Sequence, residues 1–329
     1  MINNLERGYF YNFGRDLENI NRVEERLNRI KKMGYFKGEN DLDIYYETYI
    51  VEREKGRIVI SHGFCECLEK YKEIIYYFIE EGYSVFGIEH RGHGRSGHLS
   101  KKYKSQVNVE KFDYYIEDLK RFLDQIVKEK GKDLYLYAHS MGGAIGTLFL
   151  ETYPGYFKKA VLNAPMMQIN TGKYSNFIAE LLAKFYIAIG KGDNYIFGHK
   201  DFDGIDDLEG SGTSDKYRYM HHLSYLKENK ECQRGGGSFR WVNEGLKATR
   251  KLLKEENIKK IDIPILLFQA GNDTFVVNEA HNEFKAIAKD CAIVYINEGK
   301  HELYFERDSI LHSYLDRIFN FYEQGNVYS

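Results

Sequence analysis

The chain has 329 residues, a formal charge of −2, 43% hydrophobic and 29% charged residues, the balance of a soluble globular protein with a sizeable core. With that charge no global field points to nucleic acid or to an anionic membrane. No apolar run reaches the ~20 residues that span a bilayer, and Met1–Gly14 lacks the apolar stretch of a signal peptide. Cys65, Cys67, Cys232 and Cys291 have neither zinc-like spacing nor a disulfide pattern, which predicts a reduced, cytoplasmic protein.

Residues 1–33 are charged and predict an N-terminal extension with a helix over Leu17–Lys32. Tyr35–Lys37 and Ile44–Val51 predict an antiparallel hairpin. Short apolar runs then alternate with amphipathic ones. Strand Ile58–Ser61 is followed by helix Lys70–Glu81, closed by Gly82, and by strand Tyr83–Ile88. Helical spacing over Val109–Lys130 ends at Gly131, where a left-handed cap belongs. Strand Leu134–Ala138, helix Met141–Tyr153 and strand Ala160–Asn163 come next. Strands Ile265–Gln269 and Ile293–Ile296 and a helix over about Arg307–Gln324 complete the pattern. Such alternation predicts an α/β fold: a mainly parallel, eight-stranded sheet with helices on both faces.

The alternation breaks over residues 168–260, read as a helical cap inserted between core segments 34–167 and 261–329. Phe177, Ile178, Leu181, Leu182, Phe185 and Tyr186 form an apolar stripe at helical spacing. Packing against the core is its expected fate; transient contact with a lipid surface is the alternative.

The chemistry centres on Tyr137-Ala138-His139-Ser140-Met141-Gly142-Gly143, where a strand runs into a helix through a tight turn. This is a nucleophile elbow of the G-x-S-x-G type, with Ala138 in place of the first glycine. A serine hydroxyl attacks only when a base takes its proton. Asp273 and His301 each follow a predicted strand, and the chain order Ser, Asp, His suits this fold. His301 is the expected base, oriented by Asp273. The backbone N–H groups of Met141 and Phe64 are the expected donors to a tetrahedral oxyanion. His139, Phe239 and Trp241 are candidate substrate contacts, although Phe239 and Trp241 equally suit a contact between cap and core. The scheme requires no metal and no organic cofactor. The glycines of Arg91-Gly92-His93-Gly94 invite a phosphate-loop reading, but the segment lacks G-x-x-x-x-G-K and is read as structural.

These motifs carry a resemblance. His62-Gly63-Phe64-Cys65-Glu66 resembles the H-G-x-x-E segment of monoacylglycerol lipases and bacterial lysophospholipases. Glu89-His90-Arg91-Gly92-His93-Gly94-Arg95-Ser96 resembles their D-x-R-G-H-G-x-S loop, with Glu89 where aspartate is usual. Gly271-Asn272-Asp273 and Gly299-Lys300-His301-Glu302 fit the same serine aminopeptidase S33-like hydrolases, over about residues 40–325. The resemblance implies an α/β-hydrolase core, a helical lid and a small-molecule ester substrate with one long acyl chain, such as a lysophospholipid or a monoacylglycerol. The same three residues would also serve a short-chain carboxylesterase, a thioesterase or a peptidase. A non-catalytic binding protein on this fold is the reading of another class, and it would be expected to have lost one of the three.

Overall fold

The computed structural model of the chain describes residues 8–323. The outer parts of two expected elements, residues 1–7 of the extension and Gln324 of the last helix, lie outside the described residues. Eight strands form one sheet: β1 (Lys31–Lys37), β2 (Asp43–Tyr49), β3 (Arg57–Ser61), β4 (Ser84–Ile88), β5 (Leu134–His139), β6 (Lys159–Asn163), β7 (Ile265–Ala270) and β8 (Cys291–Ile296). Their order is β1-β2-β4-β3-β5-β6-β7-β8. β2 runs antiparallel to both β1 and β4, and every other pair is parallel.

Helices cover both faces. These are α1 (Leu17–Ile30), α2 (Lys72–Glu80), α3 (Asp113–Phe122), α4 (Met141–Thr152), α5 (Asn176–Ala188), α6 (Lys216–Glu228), α7 (Phe239–Leu252), α8 (Glu255–Ile258), α9 (Asn278–Ile287) and α10 (Asp308–Glu323). Successive strand residues point to opposite faces, and the core divides accordingly. Val59, Phe86, Leu136, Leu162 and Leu267 pack with α3, α4, α7 and α9. Ile58, Ile60, Val85, Val161 and Phe268 pack with α1, α2 and α10. Strands covered on both sides need apolar residues at nearly every position, which is why these runs are continuous rather than alternating.

Two expectations are corrected. The helix expected to reach Lys32 stops at Ile30, and β1 begins at Lys31 rather than Tyr35, because Lys31–Gly34 pair with Tyr46–Tyr49 along the sheet edge. The helix expected over Val109–Lys130 is shorter: α3 starts at Asp113 and unwinds into a π turn over Leu123–Val127. Gly82 and Gly131 do take left-handed backbone, at φ +88° and +82°. Within residues 168–260, α7 packs on the body of the molecule. Its Trp241, Ala248 and Leu252 belong to the same cluster as the strand side chains. A two-residue ladder, Gln106–Val107 with Gly236–Gly237, fastens the segment leading into α7. Among the described residues no helix is long and apolar enough to cross a membrane.

Candidate active site

β5 ends at His139, and the chain turns through Ser140 directly into α4. Ser140 sits at φ +51°, ψ −117°, a conformation that costs an L-residue roughly 1–3 kcal/mol. Its own backbone holds it there: its N–H donates to the Asn163 carbonyl (3.0 Å), and its carbonyl accepts from Met166 N–H (2.8 Å) and Ala144 N–H (3.1 Å). The small residues around it answer to close approach. A Cβ on Gly142 would stand 2.1 Å from the Ser61 carbonyl oxygen, and one on Gly143 2.5 Å from Pro165 Cβ. Ala138 departs from the usual glycine, and Gly146 makes room for it: a Cβ there would stand 3.3 Å from the Ala138 methyl.

Two loops at the carboxyl ends of β7 and β8 bring the partners. His301 Nε2 lies 2.8 Å from Ser140 Oγ, and His301 Nδ1 lies 2.7 Å from Asp273 Oδ2. The second Asp273 oxygen accepts from the N–H groups of Phe275 (2.8 Å) and Val276 (3.0 Å). Burial opposes the charge of Asp273, but the hydrogen bond and field of His301, with these two N–H groups, hold its carboxyl below the ordinary value. The bond to Asp273 fixes the proton on Nδ1 and leaves Nε2 as the acceptor facing the hydroxyl. Ser140 and His301 are only 7% and 5% exposed, so their hydrogen bond is shielded from competing water.

Phe64 lies in the turn after β3, and Met141 is the first residue of α4. Among the described residues the N–H of neither is taken by a protein acceptor. The turn is fixed by Glu66, which sequence reasoning left without a role. Its carboxylate accepts from Gly63 N–H (2.5 Å), Tyr71 OH (2.6 Å) and Tyr304 OH (2.6 Å). Lys70 pairs with Glu66 at 3.4 Å and with Glu302 at 2.5 Å, tying the Phe64 turn to the loop that carries His301. The signal was present as a glutamate three residues after Gly63, but the two tyrosines lie far apart in sequence.

Ser140, His139, His301 and Phe64 line a cleft of about 450 Å³, roofed by α6 and by the stretch between α5 and α6. Burial drops His139 to about 3, so its ring is neutral beside Ser140. Phe239 and Trp241 do not line this cleft. Phe239 stacks on Tyr186 of α5 and Trp241 is tilted against Phe64 in the turn after β3, each pair with ring centres 4.1 Å apart. The four cysteines are unpaired. Donor atoms of Cys67, Cys232 and Glu89 do come within 4.8 Å of one another. The Glu89 carboxylate, however, is already engaged by Arg95 and by the Leu68 and Arg95 N–H groups.

A family model described as serine aminopeptidase, S33, matches residues 52–308. The chain belongs to this family. Among curated relatives, the lysophospholipase L2 of Escherichia coli K12 is 29% identical over 301 residues, 88% of this chain and 87% of its own length. The probable lysophospholipase L2 of Haemophilus influenzae is 27% identical over 292 residues, 87% and 90% of the two chains. A soluble variant of the monoglyceride lipase of Saccharomyces cerevisiae, solved with a substrate analogue, superposes with a TM-score of 0.70 at 21% identity, covering 88% of this chain and 93% of that one. That likeness establishes the α/β-hydrolase fold. By family and kinship the S33 chain is an ester hydrolase.

Proposed function

We propose that the chain cleaves the acyl ester of a single-chain lipid, a lysophospholipid or a monoacylglycerol, through an acyl-enzyme on Ser140. The observation that carries this reading is the hydrogen-bonded relay from Asp273 through His301 to Ser140, 2.7 and 2.8 Å long, opening into one cleft. His301 takes the Ser140 proton as the hydroxyl attacks the ester carbon, then returns it to the leaving glycerol oxygen. Asp273 stabilises the imidazolium formed in between. The N–H groups of Phe64 and Met141 receive the oxyanion, each worth roughly 3 kcal/mol in the transition state. Water repeats the sequence on the acyl-enzyme and releases the fatty acid.

Delivery of the substrate involves α5. Phe177, Leu181 and Phe185 are 75%, 60% and 57% exposed, which corrects the expectation that this stripe packs on the core. From Lys173 to Lys191 the only carboxylate is Glu180, turned inward onto Arg250 and Lys184. An apolar stripe flanked by lysines and free of exposed acid suits an anionic lipid surface. The unpaired cysteines suit a reducing compartment such as the cytoplasm.

The test is fatty-acid release from lysophosphatidylcholine and from a monoacylglycerol, with Ser140→Ala as the blank. Release that vanishes in the variant supports the reading. Release from neither, with a short p-nitrophenyl ester cleaved, would keep the mechanism and refute the substrate.

A further inference from the structure

The cleft that holds Ser140 and His301 is also walled by a cation, Arg234, that no carboxylate pairs with among the described residues. Arg234 is 8% exposed. Its donors go to main-chain carbonyls: Nε to Gly92 (2.7 Å), Nη2 to Gly94 (2.8 Å), and Nη1 to Glu231 (2.9 Å) and Gln233 (2.6 Å). The other buried arginines differ. Arg57 sits on Glu54 at 2.9 Å, Arg91 on Asp118 at 2.7 Å, and Arg218 on Glu73 at 2.7 Å. Lys70 and Lys200, also on the cleft wall, are paired with Glu302 and Asp203. Carbonyl dipoles orient a guanidinium without neutralising it, and a buried cation without a counter-charge is costly unless an anion arrives. Four of its five N–H groups are engaged; one on Nη2 is left for a ligand.

Its place is beside the turn that carries Phe64. His93, between the two glycines that Arg234 grips, lies edge-on to the Phe64 ring at 6.0 Å. Burial lifts the Cys65 thiol to about 12, and Arg234 is the chief influence pulling the other way. A second donor comes from His199, which lines the same cleft. Its Nδ1 accepts the Gly237 N–H at 2.9 Å, so Nε2 carries the ring proton. Glycine at 236 allows this: a Cβ there would stand 2.6 Å from the imidazole.

We infer that Arg234 and His199 form a phosphate subsite that reads the phosphodiester of a lysophospholipid headgroup and sets its preference over a neutral monoacylglycerol. This rests on the ester-hydrolase reading and assigns its headgroup. Both residues determine specificity; neither touches the reacting carbonyl.

The test compares lysophosphatidylcholine with a monoacylglycerol of the same acyl chain in the intact protein and in Arg234→Gln and His199→Phe. In Arg234→Gln, kcat/KM on lysophosphatidylcholine is expected to fall about 10- to 100-fold, the loss of a charge-assisted hydrogen bond, with monoacylglycerol changed by less than about threefold. His199→Phe should shift the ratio the same way by a smaller factor, and Arg234→Lys should restore part of it. Equal loss on both substrates would mean that Arg234 only clasps the Gly92–Gly94 loop, and would overturn the proposal. Should Arg234→Gln fail to fold, two arms remain: His199→Phe, and competition by glycerophosphocholine against p-nitrophenyl butyrate cleavage by the unaltered protein. Competitive inhibition by glycerophosphocholine, with none by glycerol, is expected. No inhibition, or inhibition equalled by inorganic phosphate, would overturn a headgroup subsite. Labelling of Ser140 by a fluorophosphonate, run in parallel, reads the hydrolase mechanism separately.

Discussion

The two long helices between β6 and α7 are held in opposite ways. α6 is fastened by buried charge: Arg218, 1% exposed, forks onto both oxygens of Glu73 (2.7 Å each) and reaches Asp215 and Asp308 (2.9 Å each). The N-terminal segment closes over this joint. Asn12 N–H donates to Asp308 at 2.7 Å, and a Cβ on Gly14 would stand 2.3 Å from the Arg218 backbone nitrogen. The extension, opaque in sequence, therefore braces the roof of the cleft. α5 instead rests on α7 by its narrow side, with Glu180 and Ala183 buried, and leaves its apolar stripe in solvent. One helix walls the cleft; the other turns an apolar stripe to solvent.

The strongest way to break this contrast is Arg218→Met. It strands Glu73, 4% exposed, without its cation, and removing one partner of a buried pair costs about 3–5 kcal/mol. Urea unfolding should show that loss, and ester cleavage should fall with it because Tyr219, His222, Leu223 and Leu226 of α6 line the cleft. A loss below 1 kcal/mol would mean that α6 is held by something else.

How much of this was legible follows from how local each constraint is. The elbow could be read because Ser140, Gly142 and Gly143 answer to sterics within a few residues. β3, β4, β6 and β7 could be read because burial on both faces leaves no room for polar alternation. β1 could not: Lys31-Lys32-Met33-Gly34 lies at the sheet edge with its side chains partly wet, so it resembles a continuation of α1. The stripe on α5 has the same period whether it faces core or solvent, so periodicity could not tell which. Arg218 and Glu73 are 145 positions apart, and no spacing rule joins them.

A second change sharpens the contrast from the other helix. Phe177→Ser with Leu181→Ser removes two exposed side chains, and exposed positions usually move stability by no more than ~0.5 kcal/mol. Cosedimentation with anionic vesicles should drop about thirtyfold, the loss of two apolar anchors. Cleavage of a soluble short-chain ester should not change. A clear fall in thermal stability would instead mean that the stripe is a packing surface.

A buried carboxyl without a fixed cation partner tests the same logic at smaller scale. Glu151, near the end of α4, is 4% exposed, and its Oε1 has no hydrogen-bond partner among the described residues. Burial raises its carboxyl from 4.5 to about 9, with Lys260 and Lys251 opposing only in part. The folded chain therefore keeps a proton that the unfolded chain releases above pH 4.5. More protons bound in the folded state means that stability falls as pH rises between those two values. Glu151→Gln retains the shape and removes the titration. The variant should match the parent near pH 5 and exceed it by about 1–2 kcal/mol near pH 8 in paired urea titrations. Parallel curves across that range would mean that Lys251 or Lys260 reaches the carboxylate in solution and pairs it, as Glu73 is paired by Arg218.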